Sequence, residues 1–297
     1  MDKYLLLILS AFLFSSEFIF TKLYGDKNGS HYRSAVNFSL VSSTISLTIL
    51  LLCNGFTVKF TWFSVLMAGA LAVVHLLANL ISIKAVALGS MAIYTLFMML
   101  GGMIVPFIVG AMFLNEEVKI VYIIATLILV VALVLPIFDK NERKGGVKKT
   151  FLIFLSLCIV LFFLNGVNGT IGKLHQINEA QAVNTLDFLT IKYLWKTSFS
   201  FVLFLSYRSK DENKWRGLVQ KNSLLNGLGY AVVHIAATLL QLYCALTVDS
   251  CLMFPLVTGG TLIFTPILAR ILFKEKINAF VATEIAVSFV ATVLFVF

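Results

Sequence analysis

The chain has 297 residues, of which 60% are hydrophobic and only 12% are charged, and its mean hydropathy is +0.97. Soluble domains carry about 25% charged residues, so this composition excludes a soluble globular protein, and the low counts of proline and cysteine (four each) exclude collagen-like and disulfide-stapled classes. The formal net charge of +9 is typical of basic loops between membrane spans and does not indicate a nucleic-acid partner.

Ten apolar stretches separated by charged loops follow one another along the chain. A membrane-spanning helix needs about 20 apolar residues, and lipid allows only helices and closed barrels to span. We therefore predict an all-α fold, a polytopic membrane protein with ten transmembrane helices. The first stretch lacks a signal-peptide cleavage site and is expected to be a retained span. The predicted spans are 4–23, 34–53, 61–83, 89–114, 119–138, 150–172, 187–207, 222–245, 250–272 and 277–297.

The two halves of the chain repeat. A shift of 159 residues places His75 on His234 and Gly101 on Gly260, and a shift of 151 residues places FSSEFIFTK opposite NGVNGTIGK. Because each half has an odd number of spans, the second copy enters the membrane in the opposite direction, and in such inverted repeats the substrate site lies near the midplane. We predict a first five-helix repeat over 1–138, a basic linker loop over 139–149 and a second five-helix repeat over 150–297.

Two short motifs recur in the repeats. FSSEFIFTK and NGVNGTIGK are similar to a W-G-x-N-F…K opening, and LNEE and FKEK are similar to an L-G-E segment between the fourth and fifth helices of a repeat. Together they resemble the EamA-type repeats of the drug/metabolite transporter superfamily. The tryptophan of that pattern is replaced by Phe14 and Asn165, and the asparagine of the first copy by Glu17. The resemblance implies a ten-helix transporter that moves small metabolites or drugs, usually outward and without ATP.

Glu17 is a carboxylate within the first apolar span. It lies five residues before Lys22, about 7–8 Å along a helix, which is too deep for its short side chain to reach the surface. An ionisable residue at the centre of a span costs about 2.5–3.5 kcal/mol on insertion scales and usually faces a cavity. Its counterpart in the second half is Asn168. A single carboxylate there can bind a proton or a cationic group but not both fully, which is the basis of proton-coupled antiport. The alternative is a structural pair with Lys22 or with a neighbouring helix.

Further polar residues fall on matching faces of the third and eighth spans. The two histidines of this set either line a cavity or join helices by hydrogen bonds. Tyr94 in the fourth span and Tyr243 in the eighth either give the cavity aromatic walls or belong to plain apolar helix faces. The predicted substrate and proton site comprises Glu17, Asn168, His75, Asn79, His234, Gln241, Tyr94 and Tyr243.

Glycine and proline residues in the fourth and ninth spans suit helices that bend or rock during alternating access, although tight packing explains them as well. The predicted conformational residues are Gly101, Gly102, Pro106, Gly259, Gly260 and Pro266.

Four charged residues near span ends are interpreted as structural. Lys192 is expected to extend to the membrane interface and Lys196 to be solvated, although the latter could meet a substrate carboxylate. Glu116 and Glu275 are expected to cap the start of the following helix.

Basic residues set the predicted orientation. The loops opposite the termini hold most of the Lys and Arg, so the positive-inside rule places both termini on the outer side of the cell (plasma) membrane.

These observations favour a secondary active transporter of amino-acid-like metabolites or drugs, exporting them in exchange for protons by alternating access. One alternative is uptake or facilitated diffusion of a cationic metabolite such as a quaternary amine; another is a non-transport membrane subunit or a partner of a lipid-carrier flippase. The expected partners are a small-molecule substrate, protons and lipid, with the protein as a monomer or homodimer. No nucleophile–base pair, metal-ligand spacing or ATP-binding loop is found in the sequence, so we expect no enzyme activity, cofactor or metal.

Overall fold

The computed structural model describes residues 3–29, 31–88, 91–135, 148–206, 216–274, 277 and 279–295. Within these ranges the secondary structure is helical and contains no strand. In chain order the helices are α1 (Lys3–Asn28), α2 (Tyr32–Cys53), α3 (Trp62–Leu88), α4 (Met91–Phe113), α5 (Ile120–Val134), α6 (Lys148–Ile177), α7 (Thr185–Ser206), α8 (Arg216–Val219), α9 (Lys221–Ala245), α10 (Ser250–Phe273) and α11 (Ala279–Leu294).

The predicted class is confirmed as an all-helical, multi-pass membrane protein. Among the described residues, eight helices are long and apolar enough to cross a membrane, and the apolar helices α5 and α11 are shorter, with 15 and 16 residues. Three helices continue beyond their predicted spans, since α1 ends at Asn28, α3 at Leu88 and α6 at Ile177. Lysine is a good helix former, so a charge at the membrane boundary does not end a helix. The end of α1 is instead followed by Gly29, whose φ of 73° suits a helix C-terminus.

We call the side of the bundle where α2, α4, α6 and α9 end the terminal side, because α1 begins there, and the opposite side the basic side. Helices from the two halves of the chain pair with one another. The first long helix of each half packs against two helices of the other half: α1 contacts α9 and α10, and α6 contacts α3 and α4. The helix α2 lies beside α7, α4 beside α10, and α5 beside α11. The division at 139–149 stays a prediction, because residues 139–147 lie outside the described residues.

Close crossings form at two of the predicted conformational glycines. A Cβ added at Gly101 would lie 2.0 Å from the backbone oxygen of Phe162, so α4 and α6 meet backbone to backbone. A Cβ at Gly260 would lie 2.7 Å from the Cβ of Ala11, so α10 crosses α1 closely.

The other conformational candidates lie near these crossings. Gly102 faces Asn165, and Gly259 faces Thr292 of α11. The helices α4 and α10 run without interruption through Pro106 and through Pro255 and Pro266, respectively. Their predicted role in motion stays a prediction.

Candidate functional site

A cavity of about 340 Å³ lies in the middle of the bundle, between the two halves of the chain. Its wall is formed by α1, α3 and α4 of the first half and by α6, α9 and α10 of the second. Ligand sites of about 300–1,000 Å³ are typical for small organic molecules. Seven of the eight residues predicted for the substrate and proton site line it, namely Glu17, His75, Asn79, Tyr94, Asn168, His234 and Gln241.

The eighth predicted residue is not brought to this wall. Tyr243 is 61% exposed, on the outer surface of α9. It follows Gln241 by two residues, and two residues rotate about 200° around a helix axis. A residue two places after a cavity-lining position therefore points away from the cavity, which is why sharing a helix with Gln241 did not place Tyr243 beside it.

Glu17 and His234 form the central polar contact of the cavity. The His234 Nδ1 atom lies 2.8 Å from the Glu17 Oε1 atom, and the two side chains are only 10% and 14% exposed. The contact follows from the packing of α1 on α9, which is secured near the terminal side by the Ser10 hydroxyl donating to the Ala237 carbonyl at 2.9 Å. The Lys22 ammonium, the other partner considered for Glu17, lies 4.3 Å from the ring centroid of Phe273.

Aromatic rings surround the His234 imidazole. The Tyr230 ring stacks on it with centroids 5.4 Å apart and planes at 10°, and Phe14 approaches it edge-on at 6.1 Å. The His75 ring lies 6.0 Å away. The two histidines that the repeat aligns therefore meet in the cavity wall.

Three buried polar atoms on this wall have no hydrogen-bond partner among the described residues: His75 Nδ1, His234 Nε2 and Asn168 Oδ1. Buried polar groups in native proteins are nearly always hydrogen-bonded. These atoms belong to cavity-lining residues but are themselves buried, so a ligand would have to rotate a side chain to bond them.

The structure corrects the interpretation of two lysines on α7. Lys192 and Lys196 are only 3% and 2% exposed, so they are neither interfacial nor solvated. Their ammonium groups lie 5.5 and 5.7 Å from the ring centroid of Tyr193, and both interact electrostatically with Glu17. They lie on the part of α7 that packs against α2, α3 and α9, a location that charge position along the chain does not reveal.

The terminal side of the cavity is closed by a second buried ion pair. Lys173 on α6 lies 3.7 Å from Glu116 and donates hydrogen bonds to the carbonyls of Ala245 and Val248 at 2.8 and 2.7 Å. Glu116 also accepts a hydrogen bond from the Cys251 backbone N–H at 3.1 Å, in the first turn of α10. Glu116 thus caps α10 and not the following helix α5, which corrects its predicted role. Glu275, its counterpart, lies outside the described residues.

A polar cluster at the start of α7, missed from the sequence, adds to this closure. The Asp187 backbone N–H donates to the Asn184 side-chain oxygen at 2.8 Å, and the Asn184 side-chain amide donates to the Asp187 carboxylate at 2.7 Å. This reciprocal pair resembles a capping box. Asp187 also accepts a hydrogen bond from Asn54 at the end of α2. The spacing of Asn184 and Asp187 in NTLD was the available signal.

Next to this cluster, His175 is buried between the rings of Phe63 and Phe188, with centroids at 5.8 and 3.6 Å. Its Nε2 atom lies 2.9 Å from the Ser64 hydroxyl. These contacts join the end of α6 to the starts of α3 and α7.

The chemistry available at the site is ionic and hydrogen-bonding. The described part of the chain holds no group of three or more His, Cys, Asp or Glu side chains placed to bind a metal ion, and the four cysteines are unpaired thiols. The cavity can hold a proton between a carboxylate and an imidazole, and it can bind a small molecule with polar and aromatic parts.

Comparisons with known proteins place the fold. No family model matches the sequence, and no curated protein matches it. Twenty-eight chains of solved structures match, and one crystal structure superposes with a TM-score of 0.71 over 98% of this chain and 95% of that chain, at 13% sequence identity. At this identity the likeness concerns the fold alone: the chain adopts a helical architecture already known from a solved structure.

Proposed function

We propose that the protein is a secondary transporter of small organic molecules that exports its substrate in exchange for protons by alternating access. The observation that carries the proposal is the central cavity itself: a buried carboxylate–imidazole pair, Glu17 and His234, lines a space of about 340 Å³ together with other polar residues of both halves.

The proposed architecture is that of two inverted repeats of the EamA type in the drug/metabolite transporter superfamily. It is supported by the exchange of helix contacts between halves, in which α1 packs on the third and fourth helices of the second half and α6 on those of the first. Inverted-repeat transporters bind substrate where the repeats meet, near the midplane. The cavity lies where the two halves of the chain meet, because residues of both halves line it.

Glu17 is the proposed proton carrier. Glu17 and His234 can share one proton across their 2.8 Å contact, and the arrival of a substrate at the same wall changes which partner the carboxylate prefers. A proton and a substrate that compete for one site are exchanged in opposite directions as the site alternates between the two sides of the membrane.

The proposed closed side is the terminal side. The Glu116–Lys173 pair and the Asn54–Asp187 contact each join a residue before 138 to a residue after 150. The Thr61 hydroxyl adds a third such bridge by donating to the Gln181 carbonyl at 2.6 Å. Alternating access requires these bridges between halves to open while others form on the basic side.

The alternative of a cationic substrate has less support. The surroundings of the cavity already hold Lys192 and Lys196, and Glu17, the carboxylate that would attract a cation, is bonded to His234. A non-transport role has less support too, because two full sets of helices enclose a common cavity within one chain.

The test is proton-coupled flux in liposomes. Wild type, Glu17→Gln and Glu284→Gln are reconstituted with a pH-sensitive dye inside, and panels of amino acids, organic acids and amines are added outside. Glu284 is a matched control, since it is a membrane glutamate that is 8% exposed and does not line the cavity. We expect substrates to move protons through the wild type and the Glu284 variant and not through the Glu17 variant.

Two results would contradict the proposal. If the Glu17 variant still couples substrate to protons, Glu17 is a structural partner of His234 and not the carrier. If no compound in the panels moves with or without protons through well-folded wild type, the transport function itself is wrong. Size-exclusion profiles and melting temperatures in detergent show that each variant is folded.

A further inference from the structure

Two buried ammonium groups lie near the middle of α7. Lys196 follows the first residue of α7, Thr185, by eleven positions, which is about 16 Å along a helix of about 33 Å. Lys192 lies one turn closer to the terminal side, and both side chains are almost completely buried, at 3% and 2% exposure. In the alignment of the two repeats, Lys196 stands where the first half has Asn37, so this deeper charge is a property of the second half alone.

Neither ammonium group has an anionic partner at hydrogen-bond distance within the described part of the chain. The two ammonium groups lie 5.5 and 5.7 Å from the ring centroid of Tyr193. Glu17, the carboxylate with which both lysines interact electrostatically, already bonds His234 at 2.8 Å. A buried charge without a partner is strongly unfavourable.

Lys173 is a buried lysine with a structural role, and its ammonium group has partners within the protein. Its ammonium group has two carbonyl acceptors at 2.8 and 2.7 Å and a carboxylate at 3.7 Å. The contrast with Lys192 and Lys196 indicates that these two are available to a partner that the described part of the chain does not supply.

The space beside Lys192 adjoins the central cavity. A second chamber of about 80 Å³ is lined by Lys192, His75, His234 and Asn168. Seven residues line both this chamber and the larger one, so the two chambers share a wall. The unpartnered atoms His75 Nδ1 and His234 Nε2 belong to residues of the same wall.

The charges in this region do not balance. Lys192 and Lys196 interact electrostatically with Glu17 and with both cavity histidines. When both lysines are protonated, two ammonium groups against one carboxylate leave one positive charge in excess. A ligand with a single negative charge would neutralise it, and the aromatic and apolar wall of the larger chamber would hold the rest of such a ligand.

We propose that the substrate is a small organic anion whose carboxylate binds Lys192 together with the imidazoles of His75 and His234, while Lys196 supplies the second positive charge. The inference rests on the proposed function, because it names the substrate class of the same cavity. It assigns the two lysines as determinants of specificity against neutral and cationic molecules.

The test is ligand binding to the purified full chain in detergent, which does not depend on flux. The probes are 3-phenylpropionate, its neutral amide and phenylethyltrimethylammonium, with 4-methylpentanoate and its amide as an aliphatic pair. They are compared by the shift in melting temperature and by titration of intrinsic fluorescence. We expect the carboxylates to stabilise the wild type and the amides and the cation to have no effect.

Variants separate a binding role from a structural one. Lys192→Met and Lys196→Met should weaken carboxylate binding by about 10- to 100-fold, the loss expected for one charge-assisted hydrogen bond. Lys59→Met, at an exposed lysine, should bind as the wild type does. Without ligand the two α7 variants should melt at or above the wild-type temperature, because an unpaired buried charge is removed.

Several results would overturn the inference. They are equal shifts with amides or the cation, no shift with any carboxylate, or a melting temperature that falls in both α7 variants as it would for a paired lysine. Lysine-dependent carboxylate binding without flux in liposomes would leave this site standing and refute transport. If both α7 variants still transport neutral or cationic compounds, transport would stand and the carboxylate site would be refuted.

Discussion

Replacement of Gly101 by alanine should separate α4 from α6 and destabilise the protein. The new Cβ would lie 2.0 Å from the backbone oxygen of Phe162 and 2.6 Å from its carbonyl carbon. These are backbone atoms of a helix and cannot rotate away, so one helix has to move by roughly 1.4 Å to restore ordinary contact near 3.4 Å. Overpacking of this kind costs about 1–3 kcal/mol.

A second effect acts in the opposite direction. Alanine is favoured over glycine within a helix by about 0.5–1 kcal/mol. The net loss at Gly101 is therefore about 0–2.5 kcal/mol, which corresponds to a fall in melting temperature of up to about 10 °C.

Gly25 provides the matched control. It lies within α1, and a Cβ added there meets nothing within 4 Å. Gly25→Ala should therefore keep only the favourable helix term and raise the melting temperature by about 1–4 °C. Gly260→Ala, which meets the Ala11 Cβ at 2.7 Å, should fall between the two.

The assay is thermal unfolding of the three variants in one detergent, followed by circular dichroism or by loss of the monodisperse peak. An alanine at Gly101 that is as stable as the alanine at Gly25 would refute the close backbone contact of α4 and α6. It would also remove the packing reason for a glycine at that position.

Two further predictions concern the terminal side. Glu116→Gln should lower the free energy of unfolding by about 3 kcal/mol, since Lys173 is left buried without its carboxylate. Adding Lys173→Met should recover part of this loss. A double variant less stable than the Glu116 variant would contradict the pairing. Partial burial, followed by repulsion from Glu116 and Glu117, raises the pKa of Asp249 against the opposing effect of Lys173, so the stability this group contributes is fully present below about pH 3.8 and is lost as the pH rises through its folded pKa. Asp249→Asn should then raise the melting temperature at pH 7 by about 1–2 °C, given solvent screening, and leave it unchanged near pH 3; equal effects at both pH values would contradict the assignment.

The helices and seven residues of the cavity wall could be predicted from the sequence, because hydropathy and the internal repeat act over long segments. The alignment of His75 with His234 indicated that the two residues either line a cavity or join helices, and both line the cavity with their rings 6.0 Å apart. The pairing of Glu17 with His234 across 217 positions could not be derived, since it depends on how α1 packs against α9.

The lysines on α7 show why the remainder could not be predicted. Charge near a span end normally indicates an interface, and the sequence does not distinguish the face of a helix that meets lipid from the face that packs on its neighbours. Lys192 and Lys196 lie on the packed face of α7, whereas Leu194 and Val202 of the same helix are exposed. Tyr243 lies on the exposed face of α9. Both errors concern which face of a helix meets its neighbours, which is a tertiary property.

The bridges on the terminal side bear on how many protons leak across the membrane through the protein. A carboxylate in the middle of a bilayer would short-circuit the proton gradient if water reached it from both sides together. The Glu116–Lys173 pair and the Asn54–Asp187 and Thr61–Gln181 contacts join the two halves on that side, so while these bridges hold, water should not reach Glu17 from both sides together. If the protein exchanges substrate for protons, these bridges determine its rate of proton leak in the absence of substrate. A low rate would let a cell hold many copies without losing its proton gradient.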